Sequence, residues 1–307
     1  MPPDLSDFTD QFVTLTPNQW LGIPVALIAA AFLALGAQFQ HRGVGRVEAD
    51  TGEIDASPGL SPKQILLLLG RPSWVIGSLM LGLAVLLQLT SLYLAPIIVV
   101  QPLGATALVI TAIVNSRISK VALDGRSIRA IAFCVGGVGL FVTVAAFTAK
   151  SSPISAAQLG VILAILGVIT MGFSLAFAFL RDRFKAIAFI LGAGVLYGFV
   201  ATLAKVVIDR AKTGDFEWLT VTCIVALLAA AILGGYFVQN AYSSGPPDLV
   251  IAGLTVVDPL VAVTIGIVVL QEAAGAPWFA VIAYVAAGGL AVYGVFQLAK
   301  YHPQAQH

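Results

Sequence analysis

Asp258 and Pro259 are the residues of this chain best placed to do chemistry. Both fall inside the apolar stretch from Leu249 to Leu270, between Leu254-Thr255-Val256-Val257 and Leu260-Val261-Ala262-Val263. A charge at mid-bilayer costs about 3 kcal/mol on insertion scales and is held facing a bundle interior or a wet cavity. The proline beside it removes a backbone donor, which predicts a break in the helical ladder at the same depth. Secondary transporters place their binding sites at such polar interruptions. Burial disfavours the charged form of a carboxylate, so a carrier could change state only when this charge is neutralised or paired. The competing reading is a buried acid that hydrogen-bonds a neighbouring helix and fixes packing.

A second polar-proline pair lies earlier in the chain. Placing Gln101-Pro102 over Asp258-Pro259 aligns Val100 with Val257, Leu103 with Leu260, Ala105 with Ala262 and Asn115 with Glu272. Gln101 would then present an amide to the same cavity as Asp258, or act as interhelical glue. Pro102 and Pro259 would free backbone carbonyls as ligands or hinges, or leave static kinks. Gln38, Gln88, Gln239, Asn240, Thr255 and Tyr197 are the remaining candidates to line a route, each with packing as its alternative role. Lys205 and His41 fall at helix ends and are expected to snorkel. Glu272 is expected as a solvated residue at an outer boundary. Gly194, Gly198, Gly136, Gly288 and Gly289 are expected to let helices pack closely.

The elements that must position these residues are membrane helices. The chain has 307 residues, 59% hydrophobic and 10% charged, with a mean hydropathy of +0.98. Soluble domains carry about 25% charged residues, so this is an integral membrane protein. Nine stretches approach the roughly 20 apolar residues a span needs: 21–40, 73–93, 97–115, 130–148, 159–180, 186–206, 219–239, 249–270 and 278–298. Trp20, Trp74, Trp218 and Trp278 fall at their edges, as an interfacial belt requires.

Alternating connections carry Arg42, Arg46, Lys63 and Arg71, then Arg117, Lys120, Arg126 and Arg129, then Arg181, Arg183 and Lys185, with Lys300 near the C-terminus. By the positive-inside rule the N-terminus is expected outside and the C-terminus in the cytoplasm of a plasma-membrane protein. The first residues hold Asp4, Asp7 and Asp10 but no Lys or Arg, unlike a signal-peptide n-region, and read as an uncleaved, translocated segment. Residues 43–64, rich in Gly, Asp and Ser, read as a loop. It ends in Ser61-Pro62-Lys63-Gln64, a helix-start pattern.

Several function classes find no support. Net charge is +1, from 16 basic and 15 acidic residues, which suggests no nucleic-acid partner. Cys134 and Cys223 sit in apolar stretches and read as small buried hydrophobes. The chain shows neither a phosphate-cradling Gly-Lys-Ser/Thr loop nor a His-Glu-x-x-His pair, and no nucleotide domain for an ATP-driven pump. His41, His302 and His307 form no catalytic constellation. The expectation is a protein that is not an enzyme and needs no cofactor. Its partners would be the bilayer and a small-molecule or ion substrate, with a homo-oligomer left open. A non-transporting scaffold or a lipid-acting enzyme is the reading from a different class.

The match at Gln101-Pro102, with a weaker one laying Leu27 to Arg42 over Leu191 to Val206, predicts an internal repeat. One membrane domain over 1–307 would hold a first four-helix repeat at 20–148, a linker helix at 159–180 and a second repeat at 186–300. Corresponding helices lie five spans apart, an odd number, so the halves must be inverted.

At these residues the chain resembles the drug/metabolite transporter superfamily, in its EamA-type and NIPA-type (magnesium transporter) branches. Ala95-Pro96-Ile97-Ile98-Val99-Val100-Gln101-Pro102-Leu103-Gly104-Ala105 is similar to the Thr-Pro-Leu-Gly-Ala stretch of NIPA-type proteins. Gly245-Pro246-Pro247-Asp248 running into Thr255-Val256-Val257-Asp258-Pro259-Leu260 resembles the acidic-Pro helix of EamA-type repeats. The chain departs from EamA repeats, which often end this helix in Gly-Glu, by having Ser116-Arg117 and Gln271-Glu272. The resemblance implies a plasma-membrane carrier with a central cavity between its halves. Such a carrier moves a small metabolite or drug, with proton or cation coupling at Asp258. In the NIPA branch the cargo is Mg²⁺, and Asp258 becomes the candidate metal ligand.

Overall fold

The computed structural model describes residues 15–51, 69–119, 124–150, 153–180, 186–214, 217–244 and 247–301. The chain folds into α-helices: α1 (Pro17–Trp20), α2 (Gly22–Thr51), α3 (Pro72–Leu94), α4 (Ile97–Leu103), α5 (Thr106–Ser119), α6 (Gly125–Thr148), α7 (Ala156–Leu180), α8 (Ala186–Thr213), α9 (Trp218–Ser244), α10 (Pro247–Val268) and α11 (Trp278–Tyr301). Among the described residues nine segments are long and apolar enough to cross a membrane, one of them built from α4 and α5. The protein is an all-α polytopic membrane protein. All nine expected spans are present. The fourth starts earlier, at Gly125, and the sixth runs on to Thr213.

Local chemistry sets the helix ends. Pro17 and Pro72 open α1 and α3 at the first turn, where a missing N–H costs nothing. Asp124 caps α6 by accepting from the Ser127 amide at 2.7 Å. Trp218 and Trp278 stand exposed as the first residues of α9 and α11. The loop expected over 43–64 is corrected in its first part, because α2 continues to Thr51. The rest of that stretch, with the helix start at Ser61, lies outside the described residues. So do Lys120, Arg181, Arg183, Lys185 and the N-terminal aspartates.

Packing repeats between the halves. In the first, α2 packs on α3 and on α4–α5, and α4–α5 packs on α6; in the second, α8 packs on α9 and α10, and α10 on α11. The halves meet where α6 crosses α11, α4 meets α10 and α3 touches α8. Helix α7 lies outside both, against α8 and α9. Its edge-to-face ring contacts are Phe173 with Phe237, and Phe177 with Phe189 and Tyr236. It is a linker helix in position as well as in sequence.

The α6–α11 contact shows the internal symmetry directly. A Cβ on Gly137 would stand 2.8 Å from the Ala287 carbonyl and against the Ala291 amide. A Cβ on Gly294 would stand 2.8 Å from the Ala130 carbonyl and against the Cys134 amide. The shift of 157 residues that carries Gln101 onto Asp258 also carries Ala130 onto Ala287, Cys134 onto Ala291 and Gly137 onto Gly294. Each half therefore offers the other the same patch, as a two-fold interface requires. Residues later in α6 meet residues earlier in α11, so the two helices run antiparallel and the halves are inverted.

Of the glycines expected to admit close packing, Gly194 and Gly198 do so. A Cβ on them would lie 2.6 Å from Val257 Cβ and 2.7 Å from Val261 Cβ. Gly136 and Gly289 face open space and Gly288 has only Phe141 at 3.8 Å, so these three are corrected. Adjacent helical positions differ by about 100°, which is why Gly137 rather than Gly136 meets the partner.

Enlarging Gly137 or Gly294 to Leu should lower thermal stability by similar amounts, about 1–3 kcal/mol each, as overpacking does. Gly136→Leu and Gly289→Leu should stay within about 0.5 kcal/mol of wild type. Unfolding followed in detergent micelles checks this; four equal effects would contradict the two-fold contact.

Candidate functional site

The expected break at Asp258-Pro259 is not where the backbone breaks. Helix α10 runs through Pro259 without interruption. The interruption falls in the first half instead, after Pro102, where α4 ends at Leu103 and α5 starts at Thr106. Tight bonds from the Gly104 amide to the Gln101 carbonyl (3.1 Å) and from the Ala105 amide to the Pro102 carbonyl (3.2 Å) carry the chain across. Gly104 keeps helical angles (φ −56°, ψ −32°), so the chain tightens here into a 3₁₀-type turn without reversing direction.

Asp258 is held against α8. Its own carbonyl would lie 2.9 Å from a Cβ on Gly198, so the two helices touch at this residue. The side chain is partly buried. Its Oδ1 is sealed from solvent with no hydrogen-bond partner among the described residues. Leaving a buried acceptor unmatched costs about 1–3 kcal/mol, more when it is charged. This oxygen is therefore a site that favours a proton, a cation or a donating ligand. Tyr197, on the same stretch of α8, lies within electrostatic reach of Asp258, and its ring crosses onto Gly234 of α9.

An apolar cleft of about 60 Å³ lies on the internal two-fold axis, between α4–α5, α6, α10 and α11. Pro102 and Pro259 line it, as do their neighbours in the symmetry Val138 and Val295, together with Thr255 and Phe141. Asp258 and Gln101 are not in its lining. The Asp258 side chain lies on another face of α10, toward α8. Asp258 and Gln101, expected to face one cavity, thus do not meet in this cleft.

The other candidates divide. Gln38 donates from Nε2 to Asn115 Oδ1 at 2.9 Å, which ties α2 to α5. Thr255 donates to the Ile251 carbonyl at 2.7 Å within its own helix, and Asn240 does the same with the Tyr236 carbonyl at 2.7 Å. Gln88 is partly buried on α3 and Gln239 is exposed on α9; neither lines the cleft. Gln101 is buried, at 6% exposure, one turn into α4. Cys134 and Cys223 are free and buried, as expected.

A second buried cluster lies at the end of the bundle that holds the connections 94–97 and 268–278. Glu272 was expected to be solvated, and this is corrected: it is 3% exposed. Its carboxylate accepts from the Ile97 amide at 3.0 Å (Oε1) and from the Ile98 amide at 2.9 Å (Oε2), capping α4 from the other half. Lys205, expected to snorkel, is 2% exposed. Its Nζ donates to the carbonyls of Leu92 (2.8 Å) and Ala95 (3.1 Å) at the end of α3, and it pairs with Asp209 at 3.2 Å. Burial pushes the Glu272 carboxyl up from the ordinary glutamate value, against the two amides and the Lys205 charge, which favour the anion. The sequence signal for this cluster is the Ala95-Pro96 pair, which must end one helix and start another.

Comparison with known proteins adds one relative. The chain is 26% identical over 259 residues to an uncharacterized protein of Corynebacterium glutamicum, covering 82% of this chain and 85% of that one. No family profile and no solved structure matches it.

If Gln38 serves packing, a double-mutant cycle of Gln38→Leu and Asn115→Leu should give a coupling of about 0.6 kcal/mol, the mean for interhelical bonds in membranes. Unfolding equilibria in mixed micelles report it. A coupling of zero would return Gln38 to the list of groups free to meet a substrate.

Proposed function

We propose that this protein is a secondary transporter of the drug/metabolite superfamily kind, moving a small metabolite or drug across the plasma membrane by alternating access. The observation that carries this reading is the unmatched Asp258 oxygen at the middle of a membrane helix, packed against α8 inside the second of two inverted halves. An unpaired acid at that depth is costly unless its charge is used. Inverted repeats give a chain two arrangements of similar energy in which the halves exchange roles, so that a pathway between them faces each side in turn. Protonation or cation binding at Asp258 relieves the unmatched oxygen and leaves the α10–α8 contact neutral. The lining of the cleft on the axis is apolar apart from Thr255, which suits an apolar group better than a hydrated ion, and the cleft would have to widen to admit a cargo.

For Mg²⁺ as the cargo, Asp258 would supply a single carboxylate. Among the described residues no three His, Cys, Asp or Glu side chains converge. A Mg²⁺ ion held there would keep most of its waters, as that ion prefers. The packing of Asp258 apart from any second acid therefore supports the organic cargo more than the metal.

The test is flux in proteoliposomes under an imposed pH gradient, with ethidium as a probe of organic cargo and a Mg²⁺-sensitive dye for the ion. Gradient-driven ethidium movement is expected in the wild type and should fall about tenfold or more in Asp258→Asn, since neutralising one coupling charge removes at least the 1.4 kcal/mol that a tenfold change represents. Equal flux in both proteins would overturn the coupling role. Mg²⁺ movement without ethidium movement would shift the reading to the ion.

A further inference from the structure

The connection between α3 and α4 is a discontinuity that a membrane protein can keep only if its loose ends are satisfied. The last carbonyls of α3 and the first amides of α4 both lie in the core: Ala95, Ile97 and Ile98 are each 0% exposed. The Ser91 carbonyl takes the Ala95 amide locally, and side chains of the second half satisfy the next groups. Glu272 takes two amides and Lys205 two carbonyls. Lys212 adds a bond to the Tyr93 carbonyl and stacks its Nζ 3.9 Å above the Tyr93 ring. The charges match the helix ends they meet, an anion at an N-terminus and a cation at a C-terminus.

The strap that carries Glu272 is itself held. Its amide donates to the Gly266 carbonyl at 2.9 Å, and its carbonyl accepts from the Lys150 amide at 2.6 Å. Gln271 adopts a positive φ of 55°, a conformation that a side chain rarely takes. Beneath the strap, Tyr284 and Thr148 join α11 to α6 through a 2.5 Å hydroxyl contact. This end of the bundle is therefore shut by contacts between halves. From Asp258 to the end of α10 is ten residues, about 15 Å of helix.

We propose that Glu272 and Lys205 form the gate at this end of the pathway, a pair of charged clamps from the second half that close the bundle by gripping the α3–α4 turn of the first. The proposal rests on the transport reading. In the state described here the gate is closed. For the halves to rock, Ile97 and Ile98 must leave Glu272 while Leu92 and Ala95 leave Lys205. Both clamps release backbone groups to water rather than to lipid, because opening admits water at the same place. Glu272 and Lys205 thereby set how much of the protein faces each side, without touching cargo at Asp258.

The experiment reads accessibility rather than flux, so it separates this proposal from the transport reading. Val100, 0% exposed below the clamp, is replaced by Cys in a background with Cys134→Ala and Cys223→Ala. A membrane-impermeant maleimide is applied to the full chain in proteoliposomes from the side of the 268–278 connection. Glu272→Gln and Lys205→Met should each raise the labelling rate about tenfold, the factor that 1.4 kcal/mol of bias provides. Glu217→Gln, an acid 63% exposed at the same end, should leave it unchanged. Labelling that stays slow in both clamp variants overturns the gate. So does failure of both to fold, because contacts that part in every cycle cannot be indispensable to the fold. Faster labelling with no flux of any probe would keep the gate and remove the carrier.

Discussion

Hydrocarbon offers no partner to a peptide group, and this constraint governs how the two halves are joined. A helix may stop inside a bundle only where something else receives its last carbonyls and its next amides. At Ala95-Pro96 the receiving groups are a carboxylate and an ammonium from more than a hundred residues away in the chain. The cost of burying those charges is met by hydrogen bonds to the very ends that need them, as an isolated buried ion could not achieve. The break in one half and the charges in the other thus require each other. That dependence makes the junction both strong and separable as a unit.

The internal two-fold supplies the second part of the design. Gly137 and Gly294 let α6 and α11 approach to backbone contact, and the same alanine-rich patch receives each glycine. The cleft on the axis inherits this symmetry through Pro102 with Pro259 and Val138 with Val295. Chemistry departs from the symmetry at the acidic positions. Asp258 has Gln101 as its counterpart and Glu272 has Asn115, so both acids belong to the second half. The first half instead carries the interruption inside a span, after Pro102. One half bends and the other holds charge.

Much of the fold was legible in the sequence because its signals are local and long. Twenty apolar residues between tryptophans and arginines define a span whatever the tertiary structure. The 157-residue shift was readable from one polar-proline pair and then fixed the α6–α11 contact without adjustment. Helix phase was harder: Gly136 and Gly137 differ only by which faces a neighbour, and composition carries no such information. Glu272 and Lys205 read as end residues because their partners are backbone groups of a distant segment, which no side-chain pattern announces. The same reason hid the separation of Asp258 from the cleft, since neighbouring positions on α10 open onto different faces.

The account depends most on the capping of α4 by Glu272. Hydrogen exchange at the Ile97 and Ile98 amides, followed in the full-length protein in bilayers, tests this directly. Both amides should exchange far more slowly than free peptide amides and should lose that protection together when Glu272 is replaced by Ala in a protein that still folds. Exchange at the same protected rate with and without the carboxylate would show that another group satisfies the broken helix, and the junction described here would be wrong.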